Sequence, residues 1–351
     1  MTVLLLYLRK KMNFRVLTLF LFVHYLCPAQ QKKVINDEVT TYSLQTKKDT
    51  IDFIIVDKVV NEKKPIFLWC QGSLPVPLYI NFENYGLWLH GGGIANFDYE
   101  KIRKHYHLVV ISMPKTPLIV NDSMLNDEKW YYGDSPNKNI PSITFQMANY
   151  YRNYITRAIK VLKFLKQQKW VDNSKLVVAG HSQGSKIATG IAANYKNVTK
   201  LGLFASNPLG RIDQSIRKLR KEAEQGRISW ELADKQMEKQ YEYFKTAIDP
   251  EKMAKDPSLL AWSTFSDPMI EDWLMFNKPI YLAYGTNDIA SDFCDLIPLY
   301  FIRQRKNNLT YKRYFNLEHN FFELNDQNEI DHTKPHWKEV MDSFLQWTLL
   351  P

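Results

Sequence analysis

The stretch Gly-His-Ser-Gln-Gly at residues 180–184 contains the serine whose surroundings are best suited to nucleophilic chemistry. Residues 175–179 before it are mostly apolar and predict a buried strand, and residues 185–195 after it carry apolar side chains at helical spacing. A strand, a Gly-x-Ser-x-Gly turn and a helix together predict a nucleophile elbow, a tight turn that exposes the serine at a helix N-terminus. Ser182 is therefore the candidate nucleophile.

A serine hydroxyl is a weak nucleophile, and it requires a base to accept its proton and an acid to orient that base. Asp288 follows an apolar run at residues 279–285, and His319 follows another predicted strand at residues 309–316. Groups that follow parallel strands gather at the carboxyl edge of the sheet. The sequence therefore predicts a site in which Ser182, His319 and Asp288 act together.

Each of these residues also has a purely structural interpretation. Asp288 could be a turn residue, in which case Asp292 or Asp295 would be the acid. His319 could be an ordinary loop histidine, which is how we interpret four others: His105, His107, His332 and His336. The chain order of serine, aspartate and histidine, each after a predicted strand, favours the catalytic interpretation.

Over about residues 36–350 the chain resembles the α/β-hydrolase superfamily. Four motifs carry the resemblance: Q-G-S at 71–73, G-H-S-Q-G at 180–184, G-T-N-D at 285–288 and L-E-H-N-F at 317–321. Serine first, aspartate second and histidine last is the order that this superfamily uses. The resemblance implies Ser182 as nucleophile, His319 as general base and then acid, and Asp288 as the orienting carboxylate.

Acyl transfer also needs two backbone N–H groups that stabilise the oxyanion. Gln183, the residue after the nucleophile, should supply one of them. Ser73, in the loop after the predicted strand 65–70, is the preferred source of the other. The alternative is Gly91–Gly93, part of an H-G-G-G run that follows apolar residues; this run could instead be a flexible loop that lines the cleft.

The resemblance implies an α/β-hydrolase fold, and the remaining pattern predicts a mostly parallel central sheet flanked by helices. An antiparallel hairpin is expected within residues 39–56, and strands and helices then alternate. The spacing of apolar residues predicts one long helix over 145–169, whereas residues 74–100 and 115–142 are interpreted as irregular. Residues 208–275 are polar, charged and helical, and we interpret them as a helical cap inserted between two strands.

The first 29 residues predict a secretory signal peptide. Arg15 precedes an apolar run at residues 16–26, and Ala29 provides a small residue for cleavage. The run is too short to span a bilayer, so no stable membrane insertion is expected once it is removed. Lipid attachment at Cys27 is an alternative. The mature α/β-hydrolase domain would be residues 30–351, exported to the periplasm or beyond the cell.

Composition limits the partners and cofactors. The 351-residue chain has a net charge of +9, and its first 29 residues supply four basic side chains and no acidic one. No basic stripe interleaved with aromatic residues is present, so nucleic-acid binding is not expected. Cys70 and Cys294 are expected as free thiols, with a single disulfide as the alternative. No His or Cys cluster has metal-ligand spacing, and the predicted reaction needs no metal or organic cofactor.

Together these features predict an exported serine hydrolase that cleaves a carboxylic ester through an acyl-enzyme. Its substrate would be a small-molecule or peptide acyl compound. Two alternatives have the same fold: a serine peptidase or amidase, and a non-catalytic binding protein. A lipase acting at a membrane surface is less favoured, because the predicted cap is heavily charged. The sequence leaves the oligomeric state open.

Overall fold

The structure is a computed structural model that describes residues 30–351 apart from residues 36–38, 48, 58–59 and 61. The predicted signal peptide and Cys27 lie outside the described residues. Within the described part of the chain, no helix combines the length and apolar character needed to cross a membrane.

The described strands are, in chain order, β1 (Gln30–Ile35), β2 (Val39–Gln45), β3 (Thr50–Val56), β4 (Lys64–Cys70), β5 (Tyr79–Phe82), β6 (Gly86–Leu89), β7 (His107–Ile111), β8 (Ile119–Asn121), β9 (Val171–His181), β10 (Lys200–Phe204), β11 (Ile280–Gly285), β12 (Leu309–Tyr314), β13 (Phe322–Leu324) and β14 (Ile330–Pro335). The described α-helices are α1 (Tyr99–Arg103), α2 (Ile143–Ala148), α3 (Tyr151–Leu165), α4 (Gln183–Asn194), α5 (Arg211–Glu224), α6 (Trp230–Ala247), α7 (Pro250–Lys255), α8 (Leu259–Thr264), α9 (Ile270–Met275), α10 (Ile297–Arg303) and α11 (Trp337–Leu349).

Nine of the described strands form one sheet, in the order β1-β2-β3-β7-β4-β9-β10-β11-β12. The pairs from β1 to β3 are antiparallel, as is the pairing of β3 with β7. Every neighbouring pair from β7 to β12 is parallel. The predictions of an N-terminal hairpin and a mostly parallel sheet flanked by helices are therefore confirmed.

Helices cover both faces of this sheet, which explains why its central strands are apolar throughout. In β9, Val178 points to the face on which α3 and α4 pack, and it shares a buried cluster with Ile187. The preceding Val177 points to the opposite face, where it shares a second cluster with Phe344 of α11. Because successive side chains of a strand point to opposite faces, one run of apolar residues contributes to both clusters.

The helical prediction for residues 145–169 is wrong in one respect, because two helices replace the single one. α2 ends at Ala148 and α3 begins at Tyr151, and Tyr150 between them has an extended backbone. The Tyr151 N–H donates to Thr264 Oγ1 of α8 at 3.1 Å. A contact with a distant helix thus replaces a hydrogen bond within one continuous helix.

The two regions expected to be irregular, residues 74–100 and 115–142, contain a small second sheet. Its strand order is β6-β5-β8, so it joins the two regions. Each strand has only three or four residues, too few for periodicity to reveal. Gly86, with φ of +79°, follows the turn between β5 and β6.

Five described helices, α5 to α9, lie between β10 and β11, in the segment that the sequence predicts to be a cap. Ser229 begins α6 by accepting a hydrogen bond from the Leu232 N–H at 3.2 Å, and Asp249 caps α7 in the same way. Short polar side chains therefore cap the N-termini of two of these five helices. The interpretation of this segment as a cap remains a prediction.

The N-terminal hairpin is attached to α3 through a buried arginine. The Arg157 guanidinium contacts the carboxylate of Asp49, which lies between β2 and β3. It also donates to the Ser112 carbonyl oxygen at 3.0 Å. The arginine thereby links three elements that are far apart in the sequence.

We expect Arg157→Met to lower the free energy of unfolding by about 3 kcal/mol, because it removes one partner of a largely buried ion pair. Urea denaturation would measure the change. The control is Arg152→Met, which makes the same substitution at an exposed position of α3 and should shift the stability by about 0.5 kcal/mol or less. An equal loss from both variants would contradict this account of the contact.

Candidate active site

The turn that carries Ser182 has an unusual backbone. Ser182 lies between β9 and α4 with φ of +56° and ψ of −123°, a backbone region that residues other than glycine rarely occupy. Its N–H donates to the Phe204 carbonyl oxygen of β10 at 2.9 Å. The turn is therefore tied to the neighbouring strand while the serine side chain projects beyond the sheet.

The two glycines of the motif are required by close backbone contacts. A Cβ atom at Gly184 would lie 2.0 Å from the Cys70 carbonyl oxygen of β4. A Cβ atom at Gly180 would lie 2.2 Å from the carbonyl oxygen of Gly184 itself. Neither position can hold a larger residue without movement of the backbone, which explains the Gly-x-Ser-x-Gly spacing.

The structure brings together the three residues predicted to act jointly. His319 Nε2 lies 2.9 Å from Ser182 Oγ, and His319 Nδ1 lies 2.9 Å from Asp288 Oδ2. A carboxylate only accepts hydrogen bonds, so Nδ1 carries the proton and Nε2 is left to accept from the serine hydroxyl. This is the tautomer that a general base at Ser182 requires.

The parallel arrangement of the strands explains why these three residues lie close together. β9, β10, β11 and β12 are consecutive in the sheet, and Ser182, Asp288 and His319 follow β9, β11 and β12 respectively. The Asn287 N–H also donates to the Leu317 carbonyl oxygen at 2.9 Å. The loop of the aspartate and the loop of the histidine are therefore joined directly.

Asp288 is buried and held in its ionised form. Burial alone would raise its pKa, but the charge of His319 and several hydrogen bonds outweigh burial and lower the pKa below its usual range. The donors include the Ala290 N–H at 2.9 Å and the Ser291 hydroxyl at 2.6 Å. Two of the contacts thus orient the carboxylate independently of the imidazole.

The pKa of the His319 imidazole is shifted in the opposite direction. Burial lowers its pKa, but the Asp288 carboxylate favours the protonated ring more strongly, so the pKa lies above its ordinary value. About a third of the side chain remains exposed, on the side of the cavity described below. The ring can therefore hold a proton that it takes from Ser182.

Neither alternative acid contacts the imidazole. Asp292 pairs with Arg217 at 3.5 Å, and Asp295 pairs with Arg313 and accepts a hydrogen bond from the Tyr284 hydroxyl at 2.7 Å. Both carboxylates are thus engaged elsewhere, while Asp288 occupies the position next to the histidine.

Two residues that sequence reasoning did not select support the His319 turn. His181 Nε2 donates to the His319 carbonyl oxygen at 2.9 Å, and burial lowers the His181 pKa to about 3, so its ring is neutral. The buried Glu318 carboxylate accepts from the Asn320 and Phe322 N–H groups at 2.7 and 3.1 Å. His181 lies inside the Gly-x-Ser-x-Gly motif, which is the sequence feature that could have singled it out.

A cavity of about 340 Å³ opens at Ser182 and His319. Ser73 and Gln183, the preferred oxyanion donors, both line it. Gln183 is the first residue of α4, so its N–H has no carbonyl partner within the helix. Gly91–Gly93 form part of a 3-10 helix outside this lining, where the Gly92 carbonyl oxygen accepts from the Trp69 indole at 3.0 Å. Ser73 thus lies in the cavity lining and the glycine run does not; the role of Ser73 as an oxyanion donor remains a prediction.

The cavity also contains charged residues that the sequence did not reveal. Lys186, Arg211 and Lys218 line it beside the serine. Lys186 lies one helical turn after Ser182, so helical spacing could have identified it. Arg211 and Lys218 belong to α5, and the sequence alone does not show how that helix packs against the serine.

Cys70 and Cys294 are both free and buried, as expected. Across the residues that the structure describes, no group of three or more His, Cys, Asp or Glu side chains is arranged to hold a metal ion.

No protein-family model and no curated protein matches this sequence. Solved structures are similar at low identity. An acetyl xylan esterase from a Paenibacillus species is 14% identical with a TM-score of 0.46, over 92% of this chain and 89% of that one. A candidate dipeptidyl aminopeptidase IV from Bacteroides ovatus is 12% identical with a TM-score of 0.51, over 88% of this chain and 35% of that one. Similarity at this identity shows the fold alone.

We expect Asp288→Asn to lower the pKa of His319 by about 1 to 3 pH units, because burial would then act without the opposing carboxylate. An NMR titration of the imidazole would measure this, with the wild-type pKa above the ordinary value of about 6.5 and His319→Gln used to assign the signal. Asp295→Asn is the control, since Asp295 pairs with Arg313 instead. An unchanged His319 pKa in Asp288→Asn would contradict the geometry.

Proposed function

We propose that this chain, which has the α/β-hydrolase fold, is a serine hydrolase that cleaves a carboxylic ester through an acyl-enzyme. The observation that supports the proposal most directly is the continuous series of hydrogen bonds from Ser182 through His319 to Asp288, each of 2.9 Å. The series ends at a cavity large enough for a small acyl compound. No metal or organic cofactor enters the proposed reaction.

In the first half-reaction, Ser182 Oγ attacks the carbonyl carbon of the ester as its proton passes to His319 Nε2. The Asp288 carboxylate stabilises the resulting imidazolium and stays ionised. Negative charge develops on the former carbonyl oxygen, which the N–H groups of Gln183 and Ser73 are proposed to stabilise. The imidazolium then gives its proton to the leaving alcohol, and the acyl group remains on Ser182.

In the second half-reaction, water takes the place of the alcohol. His319 Nε2 accepts a proton from the water as its oxygen attacks the acyl carbon, and a second oxyanion forms in the same position. Collapse of this intermediate releases the carboxylic acid, while the proton on the imidazole returns to Ser182 Oγ. The site is then in its starting state.

Amide or peptide cleavage would use the same groups with an amine as the leaving group. We favour the ester, because an alcohol leaves more readily than an amine. We also propose that residues 1–29 are removed during export and that helices α5 to α9 act as a cap over the cavity. These proposals are supported by the sequence pattern described above.

We expect Ser182→Ala to lower kcat/KM for 4-nitrophenyl acetate by about 10³-fold or more, because loss of the nucleophile removes the acyl-enzyme route. Release of 4-nitrophenol would be followed by absorbance. Ser215→Ala is the matched control: Ser215 lines the same cavity, and its loss should leave most of the activity. If Ser182→Ala kept full activity, the mechanism would be wrong; a folded wild type with no turnover of esters or amides would instead support a non-catalytic binding protein.

A further inference from the structure

The cavity beside Ser182 is strongly biased toward positive charge. Among the residues that the structure describes, three cationic side chains line it, those of Lys186, Arg211 and Lys218, and no Asp or Glu does. The chain as a whole has 46 basic and 37 acidic residues, so acidic side chains accompany most of the basic ones elsewhere. The excess in the cavity is therefore a local property of the site.

Arg211 is the cation whose surroundings are the most unusual. Its guanidinium contacts Gln183 Oε1 and lies over the rings of Trp262 and Phe265, with 5.5 and 5.6 Å to the ring centroids. Burial lowers its pKa, and the nearby groups that oppose this shift are the tyrosines Tyr154 and Tyr243. Within the described residues, Arg211 has aromatic and amide neighbours but no carboxylate partner.

The other two arginines of α5 pair with carboxylates, in contrast to Arg211. Arg217 pairs with Asp213 at 2.8 Å and with Asp292 at 3.5 Å. Arg220 pairs with Glu224 at 2.8 Å, on the exposed side of the helix. The helix thus supplies acidic partners to the arginines that do not line the cavity, and none to the arginine that does.

Lys186 adds a second positive charge to the lining of the cavity. Its Nζ donates to the backbone carbonyl oxygens of Asp267 at 2.6 Å and of Leu209 at 3.4 Å. Burial lowers its pKa to about 8, so the amine is still mostly protonated at neutral pH. Its hydrogen bonds go to neutral carbonyl groups, and the Asp213 and Asp267 carboxylates act on it electrostatically without forming an ion pair among the described residues. Its charge is therefore only partly balanced within the fold.

A buried charge without a counter-ion is costly, and the cost falls when an ion of opposite sign binds. A guanidinium is planar and offers paired N–H groups, which match the two oxygens of a carboxylate. In Arg211, Gln183 contacts only the Nη2 atom. We propose that the substrate carries a carboxylate near its scissile acyl group and that Arg211 binds this carboxylate; the inference rests on the proposed serine hydrolase function.

The position of Arg211 places this carboxylate close to the reacting bond. Gln183, which contacts the guanidinium, directly follows Ser182 in the chain. Arg211, Ser73 and Trp262 also line a second cavity of about 520 Å³, so they stand where the two cavities adjoin. A substrate that reaches both Ser182 and Arg211 would have a short spacer between its ester and its carboxylate, with room beyond for further atoms.

Two matched pairs of esters test the proposal with the wild-type protein. In the first pair the acyl part differs: 4-nitrophenyl hemiglutarate carries a carboxylate, and its carbamoyl analogue has a neutral group of the same shape. In the second pair the leaving group differs: 4-acetoxybenzoate against 4-acetoxybenzamide. We expect kcat/KM to be about 10- to 100-fold higher for the anionic member of one pair, the gain typical of a charge-assisted hydrogen bond. Equal values within both pairs would overturn the proposal.

Substitution of Arg211 tests whether this residue causes the preference for the anionic ester. Arg211→Met should reduce the ratio of anionic to neutral kcat/KM to about 3 or less, because methionine keeps the length of the side chain without its charge. Arg220→Met makes the same change on the exposed side of α5 and should leave the ratio unchanged. If both variants lowered the ratio equally, the general field of the helix and not Arg211 would be responsible, which would also overturn the proposal.

A binding measurement separates this inference from the proposed function. Ser182→Ala cannot form an acyl-enzyme, so calorimetry can compare its affinity for 4-nitrophenyl hemiglutarate and for the carbamoyl analogue. Tighter binding of the anionic ester supports the carboxylate site even where wild-type turnover is undetectable, an outcome that would contradict only the proposed hydrolase. Turnover that depends on Ser182, together with equal binding of the two esters, would contradict only the carboxylate site.

Discussion

The close approach of two backbone segments at the Ser182 turn is the constraint on which the rest of the site depends. A Cβ atom at Gly184 would come within 2.0 Å of the Cys70 carbonyl oxygen, so the start of α4 presses against the end of β4. In the same turn Ser182 has a positive φ, a conformation that costs of the order of 1–3 kcal/mol. The surrounding sheet and helix offset this cost, and the serine hydroxyl is directed out of the fold toward the histidine.

The site also depends on the order of the strands in the sheet. Because β9 to β12 are parallel neighbours, their carboxyl ends place three separate loops beside one another. Hydrogen bonds then fix the loops: Asn287 bonds to Leu317, and His181 bonds to the His319 carbonyl oxygen. The imidazole is therefore positioned by backbone contacts as well as by the Asp288 carboxylate. Helix α5 adds a different kind of constraint, since it brings to the cavity an arginine, Arg211, that pairs with no acidic side chain in the described part of the chain.

The sequence was informative where short motifs and strand ends coincide. Ser182, Asp288 and His319 could be chosen because each follows a predicted strand, and parallel strands bring such positions together whatever the length of the intervening chain. The break at Tyr150 could not be predicted, because a hydrogen bond from Tyr151 to the distant Thr264 accompanies it. The short strands β5, β6 and β8 lack enough residues to show periodicity, and the charged lining depends on how α5 packs, which no local pattern records.

The central claim is that His319 and Asp288 activate Ser182, and covalent labelling with a fluorophosphonate probe tests it most directly. Intact mass spectrometry of the wild-type protein should show a single adduct, and peptide mapping should place it on Ser182. Ser182→Ala should show no adduct, and His319→Ala should label far more slowly, because the serine would lose the base that accepts its proton. A folded wild-type protein that forms no adduct, or an adduct that persists in Ser182→Ala, would contradict the account.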